Sequence, residues 1–257
     1  MKIPYVLCLL CLAGLVYAGP PQGLPKGDCL HPRPRQDLRH CDFNGAWMQG
    51  VDLSGALLDG VNLQNARLLG CNLSGASLRG ADLKWAYLSE CALNDSDFSG
   101  ADLFHTTFDG AAMDRAKFIG ANLFGASLNE LTARSADFSH AYMKDISMEE
   151  SDLSSSHFDE AFMMRAVLIG SRLVDVRLPK VVLTGAALEQ ADLSHADLTQ
   201  ALLNGSSLTG TRFEQARLSG TLFHNARIQD TDFSGVIDPS EHLREMPGYT
   251  GPGHQKP

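Results

Sequence analysis

The side chains able to do chemistry are present in this chain but scattered. There are six cysteines and nine histidines, yet among the four cysteines beyond the apolar N-terminal run no two stand in the C-x-x-C spacing that a zinc ribbon or a thioredoxin-like dithiol requires. No two or three carboxylates converge with a histidine at the spacing of metal ligands. A glycine-rich phosphate cradle and a nucleophile elbow are likewise missing from the sequence. The expectation is therefore a protein that is not an enzyme, with no catalytic residue, no metal and no cofactor. The charge balance adds an exclusion: 21 Lys and Arg against 30 Asp and Glu, net −9 with a pI near 5.4, speak against a broad basic surface that grips nucleic acid phosphates.

The elements that must carry these residues follow from composition and pattern. Of 257 residues 44% are hydrophobic but only 7% aromatic, so a core exists and must be built from small and aliphatic side chains. The chain starts with Lys2, an apolar run from Val6 to Val16, and Val16-Tyr17-Ala18 before Gly19. These are the charged start, apolar middle and small-residue cleavage site of a secretory signal peptide. Residues 1–18 are thus expected to be removed, giving an exported chain, periplasmic or extracellular. A permanent anchor is disfavoured because the run is short and no basic stop-transfer cluster follows. No later stretch reaches transmembrane length.

From Cys41 onward every position ending in 3 or 8 is large and apolar except Ala133, and positions ending in 1 or 6 are small with few exceptions. Val51-Asp52-Leu53-Ser54-Gly55, Cys71-Asn72-Leu73-Ser74-Gly75, Ala121-Asn122-Leu123-Phe124-Gly125 and Ala191-Asp192-Leu193-Ser194-His195 show the block. The phase never slips through Gly235, so residues 41–235 divide into 39 blocks. A period of five fits neither the helical 3.6 nor the strand 2.0, which leaves a repeating coil.

This pattern resembles the pentapeptide-repeat family, whose block is a small residue, Asp or Asn, Leu or Phe, and two variable positions. The resemblance implies an all-β chain: a right-handed quadrilateral parallel β-helix, a solenoid of about 10 coils with four blocks per coil. Within it the large residue and the small one two places earlier point into a narrow lumen. At Leu131-Thr132-Ala133 large and small exchange places, a volume-conserving swap. The expected organisation is signal peptide 1–18, Pro-rich arm or cap 19–40, β-helix 41–235, short C-terminal helical cap 236–246 and disordered tail 247–257. Asp238 is read as the helix N-cap, with Pro239 and Glu241 in the first turn. Cys29 in the arm and Cys41 at the first coil are the expected disulfide, stapling arm to rod. Cys71 and Cys91 sit one coil apart, and there buried free thiols are favoured over a disulfide.

Four blocks per coil places residues 20 apart in one column. On the side centred on Phe43, Leu63 and Leu83, the preceding column runs Asp42, Asn62, Asp82, Asp102, Asn122 and then Tyr142, Phe162, Val182, Leu202, Leu222. With Phe104, Phe124 and Met164 in the following column, this makes an outward apolar stripe. Such a stripe marks a contact surface for an unidentified protein partner, a second copy of the chain included. The alternatives are cover by the tail or tolerance of scattered apolar residues. A neighbouring side carries Glu90, Asp109, Glu130, Glu149, Glu150, Glu189 and Asp230 against Arg67 and Arg227. Members of the resembled family that mimic DNA and bind type II topoisomerases present acids in this way, which supplies the alternative function, although a solvated face is favoured.

Overall fold

A computed structural model describes residues 23–253 of the chain. The expected signal peptide and residues 254–257 lie outside the described residues. From Asp37 onward backbone pairing has one step: Asp37 pairs with Leu57, Asp42 with Asn62, Asn62 with Asp82, and so on, always parallel and 20 residues apart, as far as Arg217 with Ile237. Twenty residues are four blocks, so the chain completes a circuit every four blocks and presents four faces. We number these first to fourth by their central residues Phe43, Met48, Leu53 and Leu58. The pairs are isolated bridges rather than extended strands, because each side is only one block long.

Nearly every backbone N–H in a block has an assigned partner. In the third face the Leu53 N–H donates to the Asn72 carbonyl at 2.8 Å, the Gly55 N–H to Ser74 at 2.9 Å, and the Asn72 N–H to Val51 at 2.9 Å. The turn within the coil closes when the Ala56 N–H donates to the Leu53 carbonyl at 3.1 Å. The remaining N–H, on the residue after the central one, meets no backbone carbonyl of a neighbouring coil, and in some blocks an Asp or Asn side chain 20 residues earlier accepts from it, as Asp109 does from Asn129 at 3.0 Å. In others Asp or Asn before the central residue supplies its acceptor: Ser54 N–H donates to Asp52 Oδ1 at 3.0 Å and Ser74 N–H to Asn72 Oδ1 at 3.1 Å. That local bond is why the block favours Asp or Asn there. The corner that follows takes positive φ at the last residue of the block. Gly75 does so at 65°, but Glu130 at 56° and His140 at 58° adopt the same turn, held by the coils on either side against a cost of roughly 1–2 kcal/mol per non-glycine residue.

The lumen is filled by buried side chains. Leu131 and Ala133 are both buried, so the swapped block keeps its volume. Hydroxyls at the small position donate to a carbonyl of the coil before, as Thr106 to Leu83 and Thr221 to Leu198, both at 2.8 Å, which satisfies them without water.

Both ends differ from the sequence expectation. Pairing begins one block earlier than residue 41, since Asp37 bridges both Lys26 and Leu57 and Leu38 is fully buried. Pro32 and Pro34 themselves cannot donate to a ladder, but the arm still pairs through Lys26 with Asp37, and Leu38 already stands in phase. At the other end the only helix among the described residues, α1 (Glu241–Glu245), is capped by Ser240, whose hydroxyl accepts from the Leu243 N–H. Asp238 cannot be the N-cap because its φ of 49° is left-handed, whereas an N-cap is extended. Residues 247–253 form part of the cap: Tyr249 is buried, its ring 5.1 Å from Phe233 at the end of the lumen, and its hydroxyl donates to the Pro252 carbonyl at 2.9 Å.

Candidate interaction surface

The fixed step of 20 decides what each outer column looks like. On the first face, equivalent side chains stack directly: Phe104 on Phe124 with centroids 5.4 Å apart, Phe124 on Tyr142 at 6.1 Å, and Tyr142 on Phe162 at 5.4 Å, all within 11° of parallel. Val182, Leu202 and Leu222 continue the Tyr142–Phe162 column by direct bridging, and Met164 follows Phe124 in the outer column one coil beyond Lys144. Tyr142 and Leu222 are 42% and 36% exposed and the other members are half-buried. The structure thus brings all eight stripe residues onto one face.

The same column changes its backbone role halfway along. In the first coils the N–H groups of Asn44, Gln64, Lys84, Phe104 and Phe124 each donate to Asp or Asn two residues earlier, at 3.0–3.3 Å. Where the acceptor is replaced by Tyr142, Phe162, Val182 or Leu202, no protein acceptor faces the N–H of Lys144, Met164, Thr184 or Asn204 among the described residues. Each replacement exchanges a local hydrogen bond for exposed apolar area. Neither change helps the fold.

Several aromatic residues extend this surface beyond the sequence expectation. Trp85, 49% exposed, stacks on His105 at 4.5 Å and meets Phe104 edge-on at 5.3 Å. Around the corner on the second face, the Arg67 guanidinium lies between Trp47 and Tyr87, 5.4 and 5.2 Å from their centroids. Residues 47, 67 and 87 share a column, so the 20-residue spacing carried the signal for them. The described tail does not cover the stripe, because Tyr249 turns onto Phe233.

Ion pairs line the third and fourth faces and also flank the stripe on the first, where Lys84 meets Asp82 and Asp102 and Arg165 meets Asp145. Asp95 and Arg115 pair through two 2.7 Å bonds, and Asp145 and Arg165 through two at 2.6 Å. The Arg165 guanidinium holds the Asp145 carboxyl below the ordinary carboxylate range. For Asp192, burial pushes the carboxyl up, but bonds from the Ser194 hydroxyl and N–H with the charges of Arg212 and Arg172 outweigh it and leave it lowered. His140 and Glu160, 3.6 Å apart, share Glu160 with Lys180 at 2.9 Å. The second face is the exception: none of Glu90, Asp109, Glu130, Glu149, Glu150, Glu189 and Asp230 has an ion pair among the described residues.

The cysteines sit at the N-terminal end. Cys29 is joined to Cys41 with Cα atoms 5.5 Å apart, and Cys71 to Cys91 across successive coils with Cα atoms 4.6 Å apart. The second bond departs from the free thiols favoured by the sequence; vertical stacking in one column brings the two backbones within disulfide range.

Comparison with known proteins agrees with this geometry. No curated protein is matched by the chain. Among solved structures, HetL, a pentapeptide repeat protein involved in heterocyst differentiation regulation from the cyanobacterium Nostoc sp. strain PCC 7120, is similar with a TM-score of 0.63 and 27% identity, covering 81% of this chain and 90% of that one. Full-length QnrB1, a plasmid-mediated fluoroquinolone resistance protein, is similar at a TM-score of 0.50 and 18% identity, covering 72% of this chain and 92% of that one, a likeness of fold alone. The pentapeptide repeat region profile matches residues 36–117, and the pentapeptide repeats (8 copies) profile matches overlapping segments from 116 to 237. With the five-residue phase, the 20-residue pairing step and these matches in agreement, the chain belongs to the pentapeptide-repeat family.

Proposed function

We propose that this chain is a non-enzymatic, exported interaction module: a right-handed, four-sided β-helix of about ten coils that binds a protein partner through its first face. The observation that carries the reading is the column from Tyr142 to Leu222. There all five coils turn an apolar side chain outward, and in the four from Tyr142 to Leu202 the following N–H also forgoes its acceptor, while beyond Leu222 the His224 N–H donates to Asn204 Oδ1 at 3.0 Å, a change that serves a contact and not the rod. A flat, stacked aromatic surface suits a partner with an apolar face of its own, and a second copy of the chain has one. Export is supported by the Val6–Val16 run with Ala18 and by the Cys29–Cys41 bond, which persists in oxidising compartments.

The test is the pair Phe162→Asp and Leu202→Asp. The expected result is a change in solution mass or the loss of a partner crosslinked in native exported material. If both substitutions leave mass and every crosslinked partner unchanged, the reading is wrong.

The unpaired acids of the second face favour one second reading, a surface that stands in for nucleic acid phosphates before a type II topoisomerase. Inhibition of DNA supercoiling by the purified chain, relieved by Glu130→Lys with Glu150→Lys, would support it. Confinement of the chain outside the cytoplasm would remove it.

A further inference from the structure

A second grouping of reactive atoms lies at the N-terminal end, on a different part of the rod from the stripe. His40 Nε2 is 3.5 Å from Cys29 Sγ and 3.8 Å from Cys41 Sγ. The three ligand atoms all lie within 4.8 Å of one another, and no other three His, Cys, Asp or Glu side chains are so grouped among the described residues. Cys71 and Cys91, by contrast, have no such histidine beside them. A tetrahedral zinc ion with Zn–S near 2.3 Å and Zn–N near 2.0–2.1 Å spaces its nitrogen and sulfur ligands about 3.5–3.6 Å apart. The His40–Cys29 distance of 3.5 Å matches that edge length and the His40–Cys41 distance of 3.8 Å exceeds it by about 0.2 Å. Cys41 is buried, Cys29 half-buried and His40 exposed, so the group is closed toward the rod and open toward solvent.

We propose that, after reduction of the Cys29–Cys41 bond, Cys29, Cys41 and His40 hold one thiophilic divalent ion, zinc by its chemistry, with water in the fourth position. A dithiol reductant supplies two electrons and two protons. The Sγ–Sγ bond breaks, each sulfur becomes a thiol, and the reductant closes to its own disulfide. Ion binding then displaces both thiol protons, leaving two thiolates and a neutral imidazole as ligands. The sulfurs must separate to about 3.8 Å, the S···S edge of the same tetrahedron, by side-chain rotation on backbones 5.5 Å apart at Cα. The arm that carries Cys29 thus stays fastened to the first coil in either redox state, by a covalent bond in one and an ion in the other.

The experiment reduces the full chain with a phosphine, which becomes the phosphine oxide as water supplies oxygen and both protons, and titrates it with Co²⁺ as a spectroscopic stand-in for zinc. The expected result is one equivalent bound with thiolate charge-transfer and tetrahedral ligand-field absorption, bleached by added zinc and absent from the unreduced chain. C29S retains every other cysteine and loses the tetrahedral spectrum, while H40A weakens binding at least tenfold and shifts the bands. Circular dichroism verifies that each variant keeps the fold, and C41S replaces C29S if that variant does not. Equal binding by reduced and unreduced chains, an unchanged spectrum in the cysteine variant, or unaltered affinity and bands in H40A would each overturn the proposal.

Discussion

Two aromatic ladders run along this rod: one inside on the step of 20, and one outside that keeps that step within each column and crosses between columns from Phe124 to Tyr142. Inside, Phe98, Phe118, Phe138 and Phe158 stack at 5.0, 4.9 and 4.9 Å, fully buried, with Phe108 edge-on to its neighbours at 6.1 Å. Outside, Phe104, Phe124, Tyr142 and Phe162 stack at 5.4, 6.1 and 5.4 Å with one flank in water. Regular stacking is therefore no sign of purpose, since the lattice produces it wherever like residues fall in one column. What separates the ladders is the alternative at each position. A lumen without its ring is a cavity, whereas an outer column without its ring can hold Asp or Asn and gain a hydrogen bond.

The largest test of that contrast is Phe138→Ala, which leaves a void among stacked rings and should cost about 3–5 kcal/mol in chemical denaturation. A loss comparable to that of an outer residue would mean that the lumen collapses around the change. Phe124→Ala should cost about 1 kcal/mol or less, because only stacking and partial burial are lost, while partner binding falls. Smaller still and opposite in sign, Val182→Asn restores an acceptor for the Thr184 N–H and should stabilise the chain by about 0.5–1 kcal/mol while weakening association. Lower stability together with intact association would reverse the roles assigned to this column.

The smallest effect is that of acid, and it separates the ladders by charge. Asp145 and Asp192 hold carboxyl values below the ordinary range, so the unfolded chain binds protons more readily than the folded one. Their contribution is complete above the unfolded value of about 3.9 and is lost as pH falls through the lower folded values. Denaturation midpoints should drop below pH 4, yet the Phe138→Ala penalty should be the same at pH 7 and pH 3, because nothing in the inner ladder titrates.

The five-residue phase was legible because a narrow lumen admits one large residue per block, and the stripe was legible because columns follow from a step of 20. Other features were hidden by local chemistry. Leu38 is in phase, but the prolines just upstream disguise its block as part of the arm. Asp238-Pro239 imitates a helix start, and only the left-handed φ of Asp238 moves the cap to Ser240. Tyr249 lies in a Gly- and Pro-rich stretch that reads as tail, and its burial depends on the open end of the lumen at Phe233, which no local pattern announces. Trp47, Arg67 and Tyr87 could have been read from the column rule, but their interest arises from the mixed aromatic and cationic stacking seen in the structure.

The unbroken step of 20 residues between paired positions also makes the rod a ruler with a defined unit. Excising one complete circuit shortens it by a single layer, about 4.8 Å, and leaves every surviving side chain on its original face. Excising one block keeps the lumen in phase but turns everything beyond the cut by a quarter circuit, so that the stripe is severed and its far half looks in another direction. Length and facing are thus independently editable in the gene, which gives evolution a way to reposition a binding surface without redesigning its interior.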